Sequence, residues 1–140
     1  YYLDYNNFTN TPTIPTNNNQ LTNGAGYLTA STLLTDGAFS SATATTTTTS
    51  QTAVDTFAAA TYRSVKYQIQ ITRGSEYHIT EVFIVHDGTT SYGTEYATIK
   101  TGSSLASFDT DIDSGNVRLL ATPTSSSSTV FKLVRTLIKV

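Results

Sequence analysis

The chain has 140 residues and a net charge of −2, with no Cys, Met or Trp. Without Cys there is no disulfide and no thiolate metal site, and with no apolar run near 18 residues no membrane insertion is expected. The eight basic residues lie between Arg63 and Lys139, interleaved with carboxylates, so no basic patch forms and nucleic acid is not an expected partner.

The chain opens on Tyr1 and contains no Met, and is expected to be a piece of a longer protein or a processed product. Residues 1–39 begin as an Asn/Thr/Pro-rich stretch with Asp4 as the only ionised side chain in its first 29 residues. Its apolar residues, Phe8, Ile14, Leu21, Tyr27 and Leu28, are widely spaced. So little apolar surface cannot offset chain entropy within one copy. The segment is expected to be extended and to order against copies of itself, with those five residues forming the oligomer. Pro12 and Pro15 favour extended backbone, and Asn23-Gly24 is a turn signal.

Residues 40–52 are almost all Ser, Thr and Ala, and are expected to be an ordered, extended connector. Residues 53–140 carry the fold, with period two rather than 3.6. A first strand is expected around 56–62. In the next, Val65, Tyr67, Ile69 and Ile71 share one face while Lys66, Gln68, Gln70 and Thr72 share the other. After a turn at Gly74, the strand 77–86 is expected to put Tyr77, Ile79, Phe83 and Val85 together, with Tyr67 and Tyr77 in the core. Further strands are expected at 94–100, 107–112, 117–122 and 130–140, separated by Gly, Asp, Asn and Pro signals. The last is apolar on both parities: Phe131, Leu133 and Leu137 against Val134, Ile138 and Val140. Either it is a central strand bent across the core, or its second face meets a neighbouring subunit. About seven strands with no convincing helix imply an all-β fold, an antiparallel β-sandwich or jelly roll at 53–140 behind the extended N-terminal segment.

Few residues carry chemistry. Asp109, Asp111 and Asp113 alternate like the start of an EF-hand loop, a weak Ca²⁺ candidate. Ser114 stands where that loop needs Gly and Leu120 where it needs a carboxylate, so a solvent-facing strand edge is the favoured expectation. His78 and His86 lie roughly 27 Å apart along one strand at ~3.4 Å per residue, too far to share a metal within one chain. Partly exposed surface histidines are expected, with a shared site near a three-fold axis as the alternative. Glu81 and Glu95 could in principle face each other as a hydrolytic pair, but no nucleophile motif or phosphate loop is present. The loop Gly88–Gly93 presents Tyr92 at its tip beside Thr89 and Thr90, a candidate receptor-binding surface.

Asp4-Tyr-Asn-Asn-Phe-Thr-Asn-Thr-Pro-Thr-Ile-Pro-Thr16, followed by Gln20-Leu-Thr-Asn-Gly-Ala-Gly-Tyr-Leu-Thr29, resembles a module of tailed-phage fibre proteins. There a Tyr-Asn-Asn-Leu-Thr-Asn-Lys-Pro-Thr-Ile-Pro stretch precedes Leu-Thr-Asn-Asp-Ala-Gly-Tyr. Here Phe8, Thr11 and Gly24 replace the Leu, the Lys and the Asp. Thr61–Tyr67, Val85–Gly88 and Gly115–Leu120 also resemble parts of virion proteins from phages of marine cyanobacteria. The resemblance implies a trimeric fibre subunit on the virion exterior, attaching to a host glycan or protein by multivalent contact. It implies no catalytic residue and no cofactor, so a chain that is not an enzyme is expected. The alternatives are a capsid or tail decoration protein docked on other virion proteins and, less favoured, a polysaccharide-degrading tailspike.

Overall fold

A computed structural model describes residues 34–140. The five residues expected to form the oligomer, Phe8, Ile14, Leu21, Tyr27 and Leu28, lie outside the described residues. The described part is all-β and antiparallel. Its eight strands are β1 (Gly37–Thr46), β2 (Thr52–Ala58), β3 (Tyr62–Arg73), β4 (Glu76–His86), β5 (Ser91–Lys100), β6 (Ala106–Asp113), β7 (Asn116–Pro123) and β8 (Thr129–Lys139). One sheet has the order β1-β8-β3-β4-β5 and the other β2-β7-β6. Val54, Phe57, Leu105, Val117 and Leu119 pack against Val65, Ile69, Ile71, Phe131 and Leu133 in a single core between them.

The hairpins follow their turn chemistry. Gly74, at φ 60°, makes the two-residue turn closed by the Arg73↔Glu76 pair. Ser114 and Gly115 both take positive φ, 50° and 79°, in the two-residue turn closed by Asp113↔Asn116. Two successive positive φ values fit the type I′ turn that matches strand twist.

Three expectations are corrected. First, most of the Ser/Thr-rich stretch 40–52 is no connector: β1 starts at Gly37 and pairs with β8 through ten consecutive partners, from Gly37↔Ile138 to Thr46↔Thr129. Ala38, Ala42 and Ala44 turn toward the core while Phe39, Ser41, Thr43 and Thr45 point out. With β1 the described residues hold eight strands, against about seven expected.

Second, β4 has the opposite parity. His78, Thr80, Val82, Ile84 and His86 are buried, whereas Tyr77, Ile79, Phe83 and Val85 are exposed. Tyr77 is therefore not a core residue, although Tyr67 is fully buried. Glu81 shares the parity of Tyr77 and pairs on the outer face with Lys66 at 3.0 Å. A carboxylate without a buried partner does not face a core, so Glu81 turns that parity to water.

Third, the histidines are buried structural pins. Gly88 N–H donates to His86 Nδ1 at 3.1 Å, so Nε2 carries the proton and donates to the Tyr62 carbonyl at 2.8 Å. Leu105 N–H points at His78 Nδ1 at 3.4 Å, and His78 Nε2 lies 3.8 Å from Glu95 Oε1. Burial pushes the His78 imidazole below its ordinary pKa, an effect that nearby Glu95 partly opposes.

A polar network crosses the interior. The Tyr67 hydroxyl on β3 donates to Asp55 Oδ2 on β2 at 2.8 Å. Arg135 on β8 bonds the same Asp55 oxygen, the Thr56 carbonyl at 2.9 Å and Ser40 Oγ on β1 at 2.9 Å. Burial first, and the Asp55 carboxylate second, push the Tyr67 phenol far above its ordinary value, so it remains a donor.

Candidate functional site at the β4–β5 hairpin end

The β4–β5 hairpin closes through Asp87-Gly88-Thr89-Thr90, with Asp87 N–H donating to the Thr90 carbonyl at 3.1 Å. Gly88 sits at φ 107°, a conformation that a side chain rarely tolerates. Asp87 Oδ1 accepts three bonds of 2.8 Å, from Thr89 N–H, Thr89 Oγ1 and Thr90 N–H. The Tyr92 hydroxyl donates to Asp87 Oδ2 at 3.3 Å. These donors, the Thr89 amide first, hold the Asp87 carboxyl well below the usual carboxylate range. From beneath, His86 grips Gly88 and Tyr62, and Arg63 donates to the His86 carbonyl at 3.2 Å.

Thr89, Thr90 and Tyr92 are thus brought together, with Asp87 as the common acceptor. Tyr92 is expected at the tip but is the second residue of β5, 56% exposed. The tip is Gly88-Thr89, and Thr89 spends its hydroxyl on Asp87. In the sequence Asp87 is one of the Asp and Gly turn signals between strands. An Asp followed two and three residues on by groups able to donate back to it is the local signal for its organising role.

Beside the turn an apolar cleft of about 410 Å³ opens on the outer face, lined by Ser64, Phe83, Val85, Tyr92 and Thr94. Register places Ser64, Val85 and Tyr92 in one row across β3, β4 and β5. Next to it the Phe83 ring stacks on Tyr96 at 5.3 Å, and Lys66 Nζ lies 5.7 Å from the Phe83 centroid. An ionised carboxylate, tethered hydroxyls and exposed aromatic faces form a surface that can meet a polyhydroxylated ligand by ring contact and hydrogen bonding.

The other candidates are not assembled. Arg118 occupies the aspartate edge, donating to Asp111 at 2.7 Å through Nε and lying 3.3 Å from Asp113 Oδ2. A cation there would face the guanidinium, and among the described residues no group of three metal-ligating side chains occurs. Glu81 and Glu95 are on opposite faces of the sheet: Glu81 pairs with Lys66 outside, and Glu95 accepts from the buried Thr80 hydroxyl at 2.9 Å. Glu95 and Asp109 line one void between the sheets, but at about 60 Å³ it holds a few waters and no sugar ring.

No family model and no curated protein matches the chain. Among solved structures it is similar to the tailspike protein of Acinetobacter baumannii phage AM24, with a TM-score of 0.43 and 10% identity over 73% of this chain and 26% of that one. It is also similar to the tailspike protein of Acinetobacter phage vB_ApiP_P1, with a TM-score of 0.42 and 14% identity over 73% of this chain and 22% of that one. The matched region thus spans about a quarter of each tailspike. Neither comes from a phage of marine cyanobacteria. The expectation of a chain that is not an enzyme is not carried forward, since both similar structures are tailspike proteins.

Proposed function

We propose that the chain is a subunit of a phage tail appendage that acts in attachment to the host surface, with the β4–β5 hairpin end of the sandwich as its contact site. The Asp87–Tyr92 constellation carries this reading. Four hydrogen bonds to one carboxylate fix Thr89, Thr90 and Tyr92 relative to one another, so little side-chain entropy is left to lose on contact. The apolar cleft beside Tyr92 supplies the surface that such a polar turn lacks. The leader 4–29, with its resemblance to phage fibre modules, supports the same assignment. Contacts of this size are individually weak, and several copies on one particle make them strong.

The test is binding of the labelled full chain to a printed array of bacterial surface polysaccharides. A subset is expected to bind, and Tyr92→Ala is expected to lose at least about tenfold in affinity. Reducing-sugar release measured on the bound spots separates attachment alone from attachment with cleavage. A parent chain that binds no spot, or a Tyr92→Ala variant that binds as well as the parent, defeats the assignment.

A further inference from the structure

Away from the β4–β5 turn, register lines up one row of side chains across all five strands of the larger sheet. Phe39 pairs with Thr136, Thr136 with Lys66, Lys66 with Phe83 and Phe83 with Thr94. All five are exposed on the outer face. Four inter-strand spacings of ~4.8 Å make the row about 19 Å long. Tyr92 flanks its β5 end, in the next outward row.

The row continues from the site at the hairpin. The 410 Å³ cleft holds Tyr92, Phe83 and Thr94 at one end. A second depression of about 180 Å³ holds the other, lined by Phe39, Lys66, Gln68, Glu81, Val134 and Thr136. The two meet where Lys66 Nζ lies 5.7 Å from the Phe83 ring centroid.

Rings and polar groups alternate along this path. Tyr92, Phe83 and Phe39 offer aromatic faces, while Thr94, Lys66, Gln68, Glu81 and Thr136 offer donors and acceptors between them. A sugar ring has the matching chemistry, with C–H faces to lie on aromatic rings and hydroxyls at its rim. Lys66 and Glu81 cancel each other at 3.0 Å, and the Asp87 carboxylate at the β5 end is the remaining charge, so a polyanion finds no free cation on the path. The cores of protein–protein contacts are depleted in Lys and Glu, which makes a row centred on an ion pair a poor seat for a second subunit. Among the described residues β1 and β5 are the outer strands of the sheet, so the path is open at both ends. An open path admits the middle of a long chain, where a blind pocket would select its terminus.

We propose that this row is a track for the interior of an uncharged, linear polysaccharide laid across the strands from Tyr92 to Phe39, which rests on the attachment reading and adds to it the class of the glycan and the direction in which it lies.

The probe is a ladder of fragments, from one sugar ring upward, cut by partial acid hydrolysis from each polysaccharide that the full chain binds on the array. Affinity per fragment, measured by calorimetric titration, is expected to rise at least about tenfold from single rings to fragments that span the row, and then to level off. Phe39→Ala, at a position 69% exposed, is expected to lose about fivefold or more for the long fragments, and with it most of the gain from length. Its circular dichroism and its mass by light scattering are expected to match the parent. Single rings that bind as tightly as long fragments overturn the track and leave the attachment site at Tyr92 standing. A gain from length that survives Phe39→Ala comes from bridging between copies and overturns it too, as does an array on which only acidic polysaccharides bind. A Phe39→Ala variant with altered mass and parental affinity assigns the face to a subunit contact instead. An array with no bound spot defeats the attachment reading and the track with it.

Discussion

The Tyr67 hydroxyl donates to Asp55 at 2.8 Å, a bond that joins the two sheets across the sandwich interior. Arg135 on the far side of Asp55 balances its charge and ties in Thr56 and Ser40. The group is satisfied on every side that the core closes to water, which is the condition for a buried ion to be tolerated. Tyr67→Phe is expected to cost about 1–2 kcal/mol, since it removes one donor while Arg135 still neutralises Asp55. Asp55→Ala is expected to cost about 3–5 kcal/mol, because it strands the guanidinium. Urea denaturation of the two variants checks the order; equal losses would show that the network does not act through Asp55.

Asp87 organises the β4–β5 turn, and Asp87→Ala is expected to release it. Hydrogen exchange at the Thr89 and Thr90 amides should speed up by about tenfold, with β3 and β8 unaffected. The depressed folded pKa gives a pH sign. The contribution of the turn is complete above the ordinary carboxylate value of 3.8 and is lost as pH falls through the lower folded value. Glycan binding is therefore expected to persist unchanged from neutral pH down to pH 4.

His78 has the opposite chemistry and the same direction. Burial lowers the folded pKa of a base, so the unfolded chain takes up a proton first as pH falls. Stability is complete above the ordinary value of 6.5 and declines as pH drops from there toward the lower folded value. Glu95 and Lys100 act on the same imidazole with opposite sign, Glu95 favouring the proton and Lys100 opposing it. Thermal midpoints between pH 7.5 and 5 are expected to slope downward, and His78→Gln is expected to flatten that slope. A parent protein equally stable across the window would rule out the imidazole as the source.

Ala97 and Ser114 are the two non-glycine residues with positive φ among the described residues, at 52° and 50°. A left-handed conformation costs an L-residue roughly 1 kcal/mol. Ser114→Asn, in the type I′ turn that favours Asn-Gly, is expected to raise stability by a few tenths of a kcal/mol or more. Ala97→Gly relieves the strain but frees the unfolded chain, and is expected to be close to neutral. Denaturant midpoints of the pair check both.

The strand β3 is legible because over residues 65–72 one parity is apolar and the other polar, and Val65, Tyr67, Ile69 and Ile71 are all buried. β4 was misread because both parities hold large apolar groups. There Glu81 decides, since a carboxylate on the Tyr77 parity points that face at water. β1 was illegible as a strand of the sandwich: Ala is its only core-facing apolar type, so the alternation is too shallow to register. At the candidate site, residue type alone suggests Thr89, Thr90 and Tyr92, but their linkage through Asp87 depends on how the hairpin closes. The pairing of Asp111 with Arg118 depends in turn on strand register, which places them directly opposite.

The first and last strands are neighbours, and Gly37 sits opposite Ile138. Whatever precedes β1 and whatever follows β8 therefore emerge at one corner of the sheet. Tension applied between those two points would peel the β1–β8 ladder apart rung by rung, each bond loaded in its turn. A design that strung the sandwich in series between those two points would load this ladder one rung at a time, whereas one that hung it from a single point as a pendant would spare it.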